Sequence, residues 1–320
     1  MTAETGNHTV EIDMTDLDDN QMIQSFLAGY HRPNTIRNYE RALRCFRAFI
    51  GTKRLRDVTW HDLERYKTAL LRGTKTNKPL TASALASLIS PLRSFYKWGS
   101  NVNIGLFDHN PSSCIKLPKV QVTSENHFLT QRELMELLAY LHDRNLREWM
   151  MVLYMVILGL RVSELVGMKW SDFHTDITES SAWLTIVDGK GGKNRQVKMP
   201  DSLWKLHNDV RIRRSMKHSK EKANDENRIF PITSRQVERI VNRACKSCGI
   251  TKKVTPHWLR HTNATLALLN GASLQQVQHT LGHVQINTTQ RYMHTVELMK
   301  KSAPDFVADS MQNMMKNVLL

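Results

Sequence analysis

Residues Pro256 to His294 read PHWLRHTNATLALLNGASLQQVQHTLGHVQINTTQRYMH. His257 and Arg260 stand three apart, so on a helix they share one face, while Leu259, Leu266 and Leu269 turn elsewhere. Gly271 and Gly282 read as helix stops and Ser273 as the cap of the next helix. His283 then falls at a helix end, and Tyr292 in a further short helix. The cluster combines cations and a phenol without a carboxylate, which points to an anionic substrate. An arginine fork fits phosphate oxygens, stays charged and cannot act as a base, so its work would be charge stabilisation. A tyrosine is a nucleophile once something accepts its proton. A lone His or Tyr on a helix is more often a packing residue, so spacing by itself does not decide between the two readings.

HxxRH, then Leu-Gly-His, then a tyrosine nine positions on, resembles the C-terminal signature of the tyrosine recombinase (phage integrase) family. That resemblance implies an earlier arginine in a GLRxSEL box, and Gly159 to Leu165 read GLRVSEL. It also implies a lysine in a hairpin turn between the two boxes, and Asp188 to Pro200, DGKGGKNRQVKMP, is similar to that hairpin. The family position, directly after the first glycine, favours Lys190; Lys193 remains its competitor. Several boxes in the right order are far more specific than one short motif. Two small departures stand out: Asn263 replaces an apolar residue frequent after HxxRH, and Arg291 replaces one before the tyrosine.

The resemblance implies phosphodiester transesterification. Tyr292 attacks a backbone phosphorus and becomes linked to the 3' phosphate, releasing a 5' hydroxyl. Arg161 and Arg260 hold the non-bridging oxygens, His257 takes the phenol proton, His283 hydrogen-bonds the phosphate and Lys190 protonates the departing oxygen. Glu164, one helical turn from Arg161, orients that neighbourhood. The scheme calls for no metal, no cofactor and no ATP. Its partners are double-stranded DNA bearing a specific recombination site, a homotetramer of this chain on two such sites, and accessory proteins in some members. Two other readings compete: relaxation of DNA in the manner of type IB topoisomerases, and a catalytically silent DNA-binding accessory factor.

Composition agrees with a nucleic-acid partner. The 320 residues carry a formal charge of +15, yet the first 20 hold six acids and no Lys or Arg, which leaves +21 on the rest. A field of that size attracts a polyanion. No apolar run is long enough to span a membrane and the acidic start is unlike a secretory signal, so a cytoplasmic protein is expected, with no membrane partner. Four cysteines in so long a chain do not make a disulfide framework. Cys245 and Cys248 form a CxxC without a second ligand pair, which reads as structural rather than as zinc.

The expected architecture is mainly α: a helical N-terminal core-binding domain and a mixed α/β catalytic domain with a small antiparallel sheet. Residues 1–20 read as a flexible acidic arm, 21–108 as the helical DNA-clamp domain, 109–127 as a linker, 128–294 as the catalytic domain and 295–320 as a tail helix. Ile36, Tyr39, Leu43, Phe46 and Ile50 form the buried stripe of a helix starting at Asn34 or Thr35. Arg37, Arg41, Arg44 and Arg47 recur beside that stripe and are expected to meet DNA phosphates. Thr59 with Asp62, and Thr130 with Glu133, read as capping boxes, and Ser234 as a cap. A helix from Thr81 is expected to kink or break at Ser90-Pro91. Leu146 to Leu158 is apolar on nearly every side, a core helix. Trp183 to Val187 and Arg195 to Met199 alternate as a hairpin. Val307, Met311, Met314 and Val318 form a narrow apolar seam, for docking on the chain's own domain or on a neighbouring subunit.

Overall fold

The computed structural model describes residues 17–73, 78–119, 127–178, 180–187, 194–217, 228–299 and 303–318. The chain divides into two compact units, Met1–Val122 and Thr123–Leu320.

The first unit is built on α1 (Asp19–Ala28), α2 (Pro33–Ile50), α3 (Trp60–Arg72) and α4 (Ala82–Gly99). Leu43, Phe46, Leu85, Leu92 and Phe95 are fully buried and fill its centre. Phe26 collects rings from Tyr30, Tyr39, Phe95 and Trp98, all with centroids within 5.7 Å. Local chemistry sets the helix starts: Thr59 and Asp62 make the capping box of α3, and Pro33 opens α2 at a position where its missing N–H costs nothing. The expected break at Pro91 does not occur, since α4 runs through it. An interior proline costs about 3 kcal/mol, but Ile89, Leu92, Phe95 and Tyr96 are all buried by the continuing helix, each contributing about 1.5–3 kcal/mol. Of the stretch read as a linker, Ile115 is buried in this unit's core.

The second unit comprises α5 (Gln131–His142), α6 (Leu146–Ile157), α7 (Val162–Gly167), β1 (Phe173–Thr175), β2 (Ala182–Val187), β3 (Asn194–Met199), α8 (Asp201–Lys217), α9 (Ser234–Ser247), α10 (Pro256–Leu269), α11 (Leu274–Leu281), α12 (Ile286–Met299) and α13 (Ala303–Val318). Its sheet has the order β1-β2-β3, antiparallel throughout, with Leu184 facing Phe173 on one side and Val197 on the other. β1 adds a strand to the hairpin read from sequence. Leu184, Ile186, Val197 and Met199 turn into the core, where α6 contributes Met150, Met151, Val152, Tyr154, Met155 and Val156. The cap of α9 is Thr233, one residue before the expected Ser234, with Gln236 completing the box. His207 of α8 is fully buried, bonded to the Tyr154 hydroxyl at 2.8 Å and stacked on Phe173 and Trp204. α10 packs against α6, α9, α11 and α12, so the stretch that opened the sequence reading is the hub of this unit. No helix among the described residues is long and apolar enough to cross a membrane.

Candidate active site

Pro256 stands in the first turn of α10, after Thr255 at the N-cap position, so His257, Arg260 and His261 fall in its first two turns. Arg260 points inward and is only 1% exposed. A buried guanidinium needs acceptors for its N–H groups. Nη1 donates to the Gly159 carbonyl at 2.6 Å and Nη2 to the Leu281 carbonyl. Burial, and then the neighbouring Arg161, pull Arg260 down to about 10, which still leaves it charged at neutral pH. Gly159 turns through φ +60°, and a Cβ there would lie 2.7 Å from Leu281 Cδ2 and 2.8 Å from Asn263 Oδ1. The glycine of the GLR box therefore answers both a left-handed turn and a close approach.

Three arginines converge on the end of α11. Arg195 Nε donates to the Thr280 carbonyl at 3.1 Å, Arg260 to Leu281, and Arg161 Nη2 to Gly282 at 3.4 Å. Successive carbonyls at a helix C-terminus carry the negative end of the helix dipole and lack intrahelical donors, so cations gather there. Gly282, left-handed at φ +63°, closes the helix with its N–H on His279 and the next N–H, from His283, on Gln278. The turn that presents His283 is thus fixed from three other elements. Glu164 holds the same guanidiniums from the other side: it takes a two-bond fork from Arg195, both at 2.8 Å, and a bond from Arg161 at 2.6 Å, and lies 4.0 Å from Arg260. Burial would raise the Glu164 carboxyl, but the hydrogen bonds and charge of Arg195, with help from Arg161, outweigh it and hold the pKa below the usual value. Three guanidiniums against one carboxylate leave an excess of two positive charges.

Tyr292, on α12, is 8% exposed. Its hydroxyl lies 2.6 Å from His261 Nδ1, and its ring is stacked parallel to that of His283 with centroids 6.5 Å apart. The phenol's hydrogen bond is therefore to His261, not to His257, which is exposed beside it with ring centres 4.4 Å apart. Desolvation and then the nearby arginines press the histidines toward the neutral form: His283 to about 4, with Arg260 and Arg161 the main charges, and His257 downward, again with Arg260 and Arg161. His261 falls to about 3 through burial and then the neighbouring His257. Burial raises the Tyr292 phenol, opposed by Arg260 and Arg291. His283 Nδ1 is held at 3.0 Å by the Thr289 hydroxyl, so Nε2 is the nitrogen left for other partners. Among the described residues, no three His, Cys, Asp or Glu side chains are placed to hold a metal ion.

Residues 127–298 match the model of the Phage integrase family, and residues 23–100 that of the phage integrase N-terminal SAM-like domain. The chain belongs to the phage integrase family. It is a tyrosine recombinase, an enzyme that breaks and rejoins DNA strands in site-specific recombination through a 3'-phosphotyrosyl intermediate. A tyrosine recombinase of Pseudothermotoga lettingae is 35% identical over 78% of this chain and 82% of the relative. The XerC recombinase of Halalkalibacterium halodurans is 31% identical over 88% and 95%. Among solved structures, XerH bound to a palindromic difH substrate superposes with a TM-score of 0.65 at 21% identity, over 83% of this chain and 77% of that one. A lambda integrase dimer on a COC' core site gives 0.65 at 20%, over 86% and 77%. At those identities the likeness is one of fold.

Within this recombinase, Arg161, Glu164, His257, Arg260, His283 and Tyr292 gather around α10 and the end of α11. Lys190 and its competitor Lys193 lie outside the described residues. Of the N-terminal arginines, Arg37 and Arg41 are exposed, Arg44 is paired with Glu40 at 2.6 Å, and Arg47 is drawn inward by Asp19 at 2.7 Å. Three residues escaped the sequence reading: Arg195, His261 and the function of Asn263. Asn263 donates to the Val156 and Ile157 carbonyls at 2.7 and 3.0 Å, satisfying the end of α6 just before the turn that carries Arg161. Only His261 had a local signal, as the last letter of HxxRH.

Proposed function

We propose that Tyr292 is the nucleophile of this recombinase. Its oxygen bonds to the scissile phosphorus, the bond to O5' breaks, and the chain stays attached to the 3' phosphate. Arg161 and Arg260 hold the non-bridging oxygens. A phosphodiester carries one negative charge and its pentacoordinate state two, which matches the excess of two positive charges around Glu164 and favours the later state. His283 donates to the phosphate through Nε2. The phenol proton leaves to the imidazole of His257, and Lys190 protonates O5'. The observation that carries the reading is the phenol's place on the residue next to buried Arg260, within the same cluster as Arg161 and His283.

The DNA partner is duplex carrying a specific recombination site, approached in the N-terminal unit by the exposed Arg37 and Arg41 and, less directly, Arg44. Two such sites are bridged by a homotetramer in the cytoplasm, assisted at some sites by accessory proteins. The tail helix α13 supplies a subunit contact: Val307 and Met311 are 59% and 58% exposed, an apolar edge suited to docking. The chain's work on a mobile element or on chromosome resolution is set by that site. The test is incubation with nicked duplexes bearing the native site. A denaturant-stable protein–DNA adduct is expected from the wild type and none from Tyr292→Phe; an adduct that survives the substitution overturns the assignment.

A further inference from the structure

Beside the arginines and the nucleophile stands a side chain that the scheme above leaves without a separate duty. His261 is one residue past Arg260 and shares α10 with it, so the same buried anchor holds the backbone that carries its ring. Its Nδ1 meets the Tyr292 hydroxyl at 2.6 Å, with ring centroids 5.3 Å apart. This contact joins α10, which holds the phosphate-binding arginine, to α12, which holds the nucleophile. Those helices also pack through Ala264, Leu268, Val296 and the Tyr292 ring.

We propose that His261 is the positioning residue for Tyr292: it accepts the phenol's hydrogen bond through Nδ1 and so aims the hydroxyl oxygen at the phosphate held by Arg260. The inference rests on Tyr292 being the nucleophile. The direction of the bond follows from what surrounds the imidazole. His257 and Arg260 on its own helix, His127 from the segment before α5, and His283 from the turn after α11 all disfavour its protonated form, and the Tyr292 phenol on α12 is held protonated by burial. A neutral imidazole with a free Nδ1 lone pair is an acceptor, and a neutral phenol is the donor. One O–H spent on Nδ1 leaves the oxygen's lone pairs directed away from the ring, available for attack. A fixed near-attack geometry of this kind is where small displacements cost most rate.

Stereochemistry supplies the test. In His261→Asn the amide oxygen occupies the place of Nδ1 and still accepts; in His261→Gln the amide reaches toward the Nε2 side; in His261→Leu no acceptor remains. Each is compared with the wild type for the rate of covalent adduct formation on a nicked duplex, for DNA affinity by mobility shift, and for thermal midpoint. Leu and Gln are expected to slow adduct formation about tenfold, with DNA affinity unchanged and Asn within about threefold of the wild type. A duplex with sulfur in place of the 5' bridging oxygen, whose leaving group needs no proton, is expected to leave the Leu and Gln defects in place, because the fault is on the attacking side. The pH profile of the Asn variant is expected to overlay that of the wild type. Wild-type rates in the Leu and Gln variants overturn the proposal, as does an Asn variant as slow as Gln, which would make the ring a base or a packing group. Should Leu fail to fold, Asn against Gln decides alone. Failure of the underlying reading looks different: Tyr292→Phe would then retain the adduct, or the wild type would make none.

Discussion

Arg195 and Glu164 form a two-bond ion pair, both contacts at 2.8 Å, with side chains 9% and 7% exposed. The pair ties the hairpin strand β3 to α7, the helix that follows Arg161, and Arg195 also reaches the end of α11 before His283. Removing one partner of a buried pair leaves the other charge uncompensated, typically at about 3–5 kcal/mol. Arg161 still faces Glu164, so Arg195→Ala is expected at the lower end, about 3 kcal/mol by urea unfolding. Adduct formation should fall with it. The double variant Arg195→Ala with Glu164→Gln should recover part of the loss, since the stranded charge is gone; full additivity would mean that the pair is not the source.

Asn263 makes a second expectation. Its amide meets two carbonyls that α6 cannot satisfy itself. Asn263→Leu should cost about 2 kcal/mol, the range for buried acceptors left unpaired. Asn263→Asp should cost more, because it sets acceptors against acceptors. Denaturant midpoints of the two variants give the order, and Leu falling below Asp would contradict this account.

These two residues mark where legibility in the sequence ends. The capping boxes at Thr59 and Thr130, the cap at Ser273 and the apolar faces of α2 and α6 were readable because their partners lie within one or two turns. The HxxRH and GLR boxes were readable as motifs. Arg195 was not, since its partners stand 31 and 85 positions away, and nothing local distinguishes it from other basic residues of the hairpin. Asn263 caps a helix more than a hundred positions earlier. Pro91 misled for the opposite reason: the local cost was visible, while the core that outweighs it was assembled from other helices.

Acid should destabilise this recombinase over a defined range. His207 is held at about 4 by burial and Arg211, His283 at about 4 and His261 at about 3, against about 6.5 in the unfolded chain. All three folded values are depressed, so below about 6.5 the unfolded state binds protons that the native state refuses. Stability is full above that pH and is lost as pH falls from there toward 4, by up to about 1.4 kcal/mol per unit for each histidine. Urea midpoints at neutral and mildly acid pH measure the slope. His207→Gln, which keeps a partner for the Tyr154 hydroxyl, should flatten it by at most about one third, since His257 is depressed as well; an unchanged slope would remove His207 from the explanation.

Gly282 carries two burdens that substitution separates. Its φ of +63° costs an L-residue about 1–2 kcal/mol. In addition, a Cβ there would sit 2.8 Å from Arg195 Cδ and 3.0 Å from Nη1, and that side chain is not free to swing, being held by Glu164 and the Thr280 carbonyl. Gly271, at φ +92°, is left-handed too but has nothing within 4 Å of an added Cβ. Gly271→Ala should therefore show the backbone cost alone, while Gly282→Ala should cost more and should slow adduct formation beyond any change in DNA affinity, because the displaced guanidinium releases the turn before His283. The decisive comparison is Gly282→Ala in an Arg195→Ala background. With the obstructing side chain removed, its cost should shrink to that of Gly271→Ala, and an equal cost in both backgrounds would show that the guanidinium is not what the glycine makes room for.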